Sequence, residues 1–429
     1  MTPSTAPIAR HLLPLTAGRG PAGALTVGGV DLVKLAGTYG TPLFVYDEEH
    51  LRARCREAVA AFGPGVAYGT KAFLCKAMAA LAAEEGMHLD VSSGGELAVA
   101  LAAGVPADLL VLHGNNKSAE ELAAAIEAGV GRIVVDSFDE IERLSAALGA
   151  AAGPFPRLLV RVTPGIEAHT HEYVMTGQED SKFGFSLASG AADEAASELR
   201  ARFQARFVGA HAHVGSQIFR TDVYAREVEA VVPFVRRHGL AECCIGGGLG
   251  VAYLDGEHAP ALSEWAEVVR KAAAAAGMPK GVRLTAEPGR AIVAAAGITL
   301  YRVGTIKELP GLRTYVAVDG GMSDNPRPVL YGSGYEAFLP RAPDAERPVA
   351  ARVVGKHCES GDVVVDDARL PADLAVGDLL ATPVTGAYGF AMASNYNRVP
   401  RPAVVFVLNG SSRVVVRRET VDDLLRLEP

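Results

Sequence analysis

With 429 residues, a formal net charge of −8 and 49% apolar residues, the chain is too long for one ordinary domain and too acidic for a nucleic-acid surface. That leaves two domains, or a large barrel with an accessory domain, and a small molecule as ligand. No run of about eighteen uncharged apolar residues occurs, and Met1 to Gly20, broken by Pro3, Pro7 and Pro14, lacks a signal-peptide core, so neither a membrane nor export is expected and the reading is cytoplasmic. Five cysteines, Cys243 and Cys244 adjacent, cannot complete a disulfide framework and are expected as reduced thiols.

Residues 1 to 23 are rich in Pro, Ala and Gly without a period and read as a loosely held lead-in. Thr41-Pro-Leu-Phe-Val-Tyr46 reads as a strand, with Asp47 as N-cap of a helix whose first turn carries Glu48 and Glu49. Apolar runs of strand length follow at Val66 to Tyr68, His88 to Val91, Leu109 to Leu112, Arg132 to Val135, Leu158 to Val162, Phe207 to Val214, Glu242 to Ile245 and Arg283 to Ala286. Segments of helical length lie between them, among them Lys76 to Glu85, Ser118 to Ala128, Asp139 to Leu148, Thr221 to His238 and Leu262 to Ala276. Eight such units over roughly 250 residues predict a closed parallel (β/α)8 barrel over 47–296, with an open doubly wound sheet as the alternative. Beyond Gly297 short β-rich runs (Tyr315 to Val318, Ala350 to Val354, Val363 to Val365, Leu379 to Thr382, Ala403 to Leu408, Arg413 to Arg417) predict a second, all-β domain of sandwich or Greek-key type, formed by 297–429 and joined by 1–46.

Barrel active sites are built at the carboxyl ends of the strands, and here those ends carry unusual polar and glycine residues. Lys71 follows strand one; a lysine there is expected to be poorly hydrated, which favours the amine as a nucleophile toward a carbonyl. Gly246-Gly-Gly-Leu-Gly250 follows strand seven, where backbone N–H groups can cradle a phosphate. An imine-forming lysine and a phosphate cradle on one rim suggest pyridoxal phosphate, whose pyridine nitrogen needs a partner, and Glu287 can supply it. Asp90 lies at the end of strand two and Glu287-Pro-Gly-Arg290 at the end of strand eight. The pairs His169/His171 and His211/His213 could be read as metal ligands, but neither has an evident third ligand. His213 is better placed to lie against a flat ring, and His211 reads as a hydrogen-bonded core histidine. In Cys358-Glu-Ser-Gly-Asp362 a cysteine beside acidic groups reads as a proton donor rather than a standing thiolate.

Together these residues resemble the meso-diaminopimelate decarboxylases of the alanine-racemase-like class of pyridoxal-phosphate enzymes. The motifs that carry the resemblance are Tyr68-Gly-Thr-Lys71-Ala-Phe, His113-Gly-Asn-Asn-Lys117, Ser181-Lys-Phe-Gly184, His213-Val-Gly-Ser216, the glycine run, Glu287-Pro-Gly-Arg290, Asn325-Pro-Arg-Pro328 with Tyr331-Gly, the Cys358 motif and Gly386-Ala-Tyr388. The resemblance implies that Lys71 forms the Schiff base, His213 stacks on the ring, and Asp90, Ser216, Gly246, Gly247, Gly248, Pro288, Gly289 and Arg290 surround the cofactor. Glu287 would pair with the ring nitrogen. It further implies that Arg290, Arg327 and Tyr331 bind the distal carboxylate of the substrate, Glu359 its distal ammonium, and Tyr388 both cofactor and substrate. A homodimer is implied as well, with Cys358 and Glu359 acting across the interface. The expected product is L-lysine, with Cys358 the first choice for the donor that reprotonates Cα and Lys71 the second. Rival readings are a paralogous decarboxylase acting on ornithine, carboxynorspermidine or a carrier-bound glutamate, and a non-catalytic cofactor carrier, against which the long β domain counts.

Overall fold

The computed structural model describes residues 5–149, 156–166 and 180–429; the predicted pair His169/His171 lies outside them. The chain divides into two compact units, one of Arg54–Gly250 with Ala259–Ala291 and one of Met1–Ala53, Val251–His258 and Ile292–Pro429.

The first unit is the barrel. Its strands are Ala67–Gly69, His88–Val91, Leu110–Leu112, Arg132–Val135, Arg157–Thr163, Phe207–His211, Glu242–Cys244 and Arg283–Thr285. Each pairs in parallel with the next in chain order. The ring closes where Ala67 N donates to Ala286 O at 3.0 Å and Gly69 N to Pro288 O at 3.2 Å, so the open-sheet alternative falls. Strands covered on both faces read as unbroken apolar runs, which is why all eight were placed to within a few residues. Val111, Val134, Leu159 and Cys244, from strands three, four, five and seven, pack together as one buried cluster, as interior layers of such barrels do. The helix Ala119–Ala128 begins with a capping box between Ser118 and Glu121.

The opening residues of four strands form a charged floor. Glu242 accepts from Arg132 Nε at 2.8 Å and from Arg157 Nη1 at 3.3 Å, and it also pairs with Arg283. Burial works against the Glu242 carboxylate, yet the guanidinium groups outweigh it and hold the acid down to about 2.

The second unit is organised by one long strand, Gly297–Leu309, which sequence reasoning did not place because Arg302, Lys307 and Glu308 interrupt its apolar pattern. Its first half pairs antiparallel with Leu43–Asp47 and with Leu379–Pro383. Its second half pairs with Arg313–Val318 after a register shift between Val303 and Thr305, a bulge that lets one strand serve two sheet segments. Leu43–Asp47 also lies parallel to Ala403–Leu408. Asp47 Oδ1 accepts from His50 N at 3.2 Å at the head of Glu48–Phe62.

From Thr5 onward the lead-in is not loose. Ile8, Leu12 and Leu13 are buried, and Arg347, itself buried, donates from its backbone N to Thr5 O at 2.8 Å and from Nε to Ala6 O at 2.7 Å. A segment without period can still be anchored by a few apolar side chains and a guanidinium that finds its carbonyls.

Candidate active site

Lys71 sits on the 3₁₀ turn Thr70–Ala72 that follows strand one. Contrary to the expectation of poor hydration it is exposed, while Thr70 and Ala72 are buried. About three residues per turn send successive side chains in different directions, so the flanking residues take the core and the lysine projects from it. Its charge acts on both Asp90 and His213, which places the ammonium among the predicted site groups.

His213 lies just beyond strand six. Its Nδ1 accepts from Gly247 N at 3.1 Å, and burial, with the Lys71 charge second, pushes the imidazole well below its ordinary value. The ring is therefore neutral with its proton on Nε2. Gly246 and Gly248 have φ of 62° and 99°, and a Cβ on Gly246 would fall 2.6 Å from His213 Nδ1. Only glycine lets the run approach this closely. Ile218 N donates to Gly248 O at 3.0 Å, tying the loop after strand six to the glycine run. Arg290 Nη2 donates to Ser216 Oγ at 3.0 Å; a guanidinium, a hydroxyl and a glycine turn form a donor set suited to a phosphate.

Glu287 follows strand eight with both carboxylate oxygens engaged. His113 Nε2 lies 3.0 Å from Oε1 and His211 Nε2 lies 2.9 Å from Oε2. Burial alone would raise this acid, but His113 and His211 outweigh it and hold Glu287 well below the ordinary carboxylate range. Asp90 Oδ1 is 3.7 Å from His113 Nε2, and burial raises the Asp90 carboxyl. The core reading of His211 is correct. What sequence missed is its partner: His113 was seen only as part of a motif, and 174 and 76 residues separate Glu287 from its two imidazoles.

In the second unit, Arg327 opens the short helix Arg327–Tyr331. It is buried, its guanidinium 4.6 Å above the Tyr253 ring, and its Nη1 donates to the hydroxyls of Tyr253 and Tyr335. Its Nε is buried with no hydrogen-bond partner among the described residues. Tyr331 is half-buried and Val329 and Leu330 are exposed. Tyr388 holds a left-handed φ of 60°, the kind of local strain that clusters at functional positions.

Cys358 and Glu359 stand exposed on a turn whose base is held by Asp362. Its Oδ1 accepts from Met322 N at 2.6 Å and its Oδ2 from His357 N at 2.8 Å. His357 is buried, with Nε2 2.8 Å from Ser323 Oγ and Nδ1 3.1 Å from Asn397 Oδ1. The turn is therefore anchored to two other segments of this unit, Met322–Ser323 and Asn397. The other four cysteines are buried.

A barrel with a lysine after strand one, a phosphate-type donor set after strands six to eight and a locked glutamate at strand eight is the architecture of a pyridoxal-dependent decarboxylase, a lyase. Residues 48–294 match the family model described as the pyridoxal-binding domain of pyridoxal-dependent decarboxylases. The chain is 48% identical over 441 residues to a diaminopimelate decarboxylase of Mycobacterium tuberculosis, covering 98% of both chains. It is 45% identical over 424 residues to one from Bacillus subtilis, covering 95% of each. Among solved structures it resembles the diaminopimelate decarboxylase of M. jannaschii in complex with L-lysine, with a TM-score of 0.88 and 30% identity over 97% of this chain and 98% of that one. The Helicobacter pylori enzyme, also with L-lysine, gives 0.83 and 31% over 93% and 99%. The chain belongs to the diaminopimelate decarboxylase family. No helix among the described residues is long and apolar enough to cross a membrane.

Proposed function

We propose that the chain decarboxylates meso-2,6-diaminopimelate to L-lysine and carbon dioxide, the last step of bacterial lysine synthesis, with pyridoxal 5′-phosphate as cofactor. The observation that carries this reading is the rim that brings together Lys71, neutral His213, the Ser216 and Arg290 pair and the doubly held Glu287. The substrate is supported by nearly full-length identity to diaminopimelate decarboxylases.

The residues present fit the cofactor. Lys71 would hold its aldehyde carbon, and His213 would lie against the ring, with Asp90 beside it. Ser216, Gly246, Gly247 and Gly248 would hold the phosphate with Arg290 beside them, Pro288 and Gly289 would lie against the cofactor, and Glu287 would face the ring nitrogen. When bound, the cofactor supplies an electron sink for the pair left on Cα as carbon dioxide departs. The protein's own groups do the rest. Arg290, Arg327 and Tyr331 bind the distal carboxylate, a task suited to guanidinium forks. Glu359 binds the distal ammonium, and Tyr388 contacts both substrate and cofactor. Cys358 delivers the proton to Cα, with Lys71 the second candidate.

The working form in this reading is a cytoplasmic homodimer in which the turn carrying Cys358 and Glu359 serves the partner's site. Carbon dioxide release from meso-diaminopimelate and from ornithine, measured side by side, tests the function. Strong preference for diaminopimelate is expected, and equal or faster release from ornithine would overturn it.

A further inference from the structure

Three barrel strands converge on one carboxylate. His113 follows strand three, His211 ends strand six and Glu287 follows strand eight, and their side chains are 8%, 3% and 8% exposed. The two rings lie edge to face, 4.9 Å apart at 68°. The terminal torsion of a glutamate is soft, so a single donor on one oxygen would leave the carboxylate plane free to turn. Donors on both oxygens, from rings that brace each other, fix it.

We propose that His113 and His211 are positioning residues for Glu287, a two-imidazole clamp that sets the plane of its carboxylate and keeps it ionised. The proposal rests on Glu287 facing the cofactor's ring nitrogen, the role given above. The two imidazoles are not equivalent. Asp90 lies 3.7 Å from His113 Nε2, and together with Glu287 it raises His113 despite burial. Burial lowers His211 to about 4, which makes it a neutral N–H donor. A carboxylate accepts up to about four hydrogen bonds, so the clamp leaves Glu287 capacity for one more donor. Two histidines and a glutamate this close could also ligate a cation. Against that, His211 Nδ1 is buried with no hydrogen-bond partner among the described residues, whereas a metal-bound imidazole almost always donates from its second nitrogen.

The test compares His113→Gln with His113→Asn, alone and combined with Glu287→Gln. A glutamine amide can reach where Nε2 sits, and an asparagine amide stops near Nδ1. The readouts are the dissociation constant for pyridoxal phosphate, measured by equilibrium dialysis of the resolved protein, and the pH titration of the loaded protein's visible absorption. H113N is expected to weaken cofactor binding about tenfold or more and to shift the titration, H113Q to stay within about threefold, since hydrogen bonds to charged groups carry effects of that order. In the Glu287→Gln background H113N should add less than about threefold, because its effect passes through Glu287. Equal losses in H113Q and H113N, or losses that multiply in the double variant, would overturn the clamp. If E287Q alone moves neither readout, the role of Glu287 itself fails and the clamp with it. Should H113N not fold, the His211→Gln and His211→Asn pair puts the same question to the other oxygen.

Discussion

Arg327 Nη1 donates to Tyr335 Oη across 3.0 Å, and the same guanidinium donates from Nη2 to Ser333 Oγ at 3.1 Å. Burial would lower its basicity, but the two tyrosines outweigh that and raise it. The arginine is therefore a fixed cation held in one plane, with Nε–H still without an acceptor among the described residues. Arg327→Lys keeps the charge and loses the fork. The specificity constant for diaminopimelate should fall on the order of tenfold or more, and an unchanged value would remove Arg327 from carboxylate binding.

Lys71 is exposed on its turn, within reach of a reagent from solvent. Borohydride reduction of the cofactor-loaded protein should tag one lysine covalently, because only an imine nitrogen is reduced to a stable secondary amine. Peptide mass mapping is expected to find the label on Lys71; a label elsewhere would refute the assignment.

A shared active site makes a numerical claim. Lys71→Ala and Cys358→Ala homodimers should each be nearly inactive. Refolded together in equal amounts, half of the dimers are hybrids, and each hybrid holds one site with both defects and one with neither. Activity should recover to about a quarter of wild type, as two-fold symmetry requires when the two residues come from different subunits. No recovery, with hybrids confirmed by differential tagging, would place both residues in one subunit's site.

The floor of the barrel predicts a stability effect separate from catalysis. Glu242→Gln leaves Arg132 buried without its counter-charge, and the loss should be about 3–5 kcal/mol by urea unfolding at neutral pH. Because the folded-state acid is depressed to about 2, its contribution is present above the ordinary carboxylate value and fades as pH falls toward that point. The gap between wild type and variant should therefore narrow through that acid range. A gap that stays constant there would show that the ion pairs do not set it.

The barrel was legible because each strand is an apolar run followed by a polar rim residue, so Lys71, the glycine run and Glu287 could be placed on one rim from sequence alone. The clamp was not, since periodicity reports which face a histidine occupies and not which carboxylate meets it from another strand. Tyr253, which meets Arg327 from 74 residues away, escaped for the same reason. Lys71 is exposed where a strand end is expected to be buried, because the following 3₁₀ turn redirects the side chain. The lead-in was misjudged from composition, which hides three apolar anchors and the partners of Arg347.

The strand Leu43–Asp47, buried at all five positions, finds its neighbours at Gly297–Leu300 and Ala403–Val407. During synthesis the barrel's eight strands emerge before either partner exists, and the parallel one comes only near the end of the chain. For most of translation this apolar segment is an unpaired edge, the kind of surface on which chains aggregate. A nascent chain whose strand eight has emerged while Gly297–Leu309 has not would hold a complete set of barrel strands and an orphan Leu43–Asp47, which makes this short early segment the natural place for a holdase chaperone to grip.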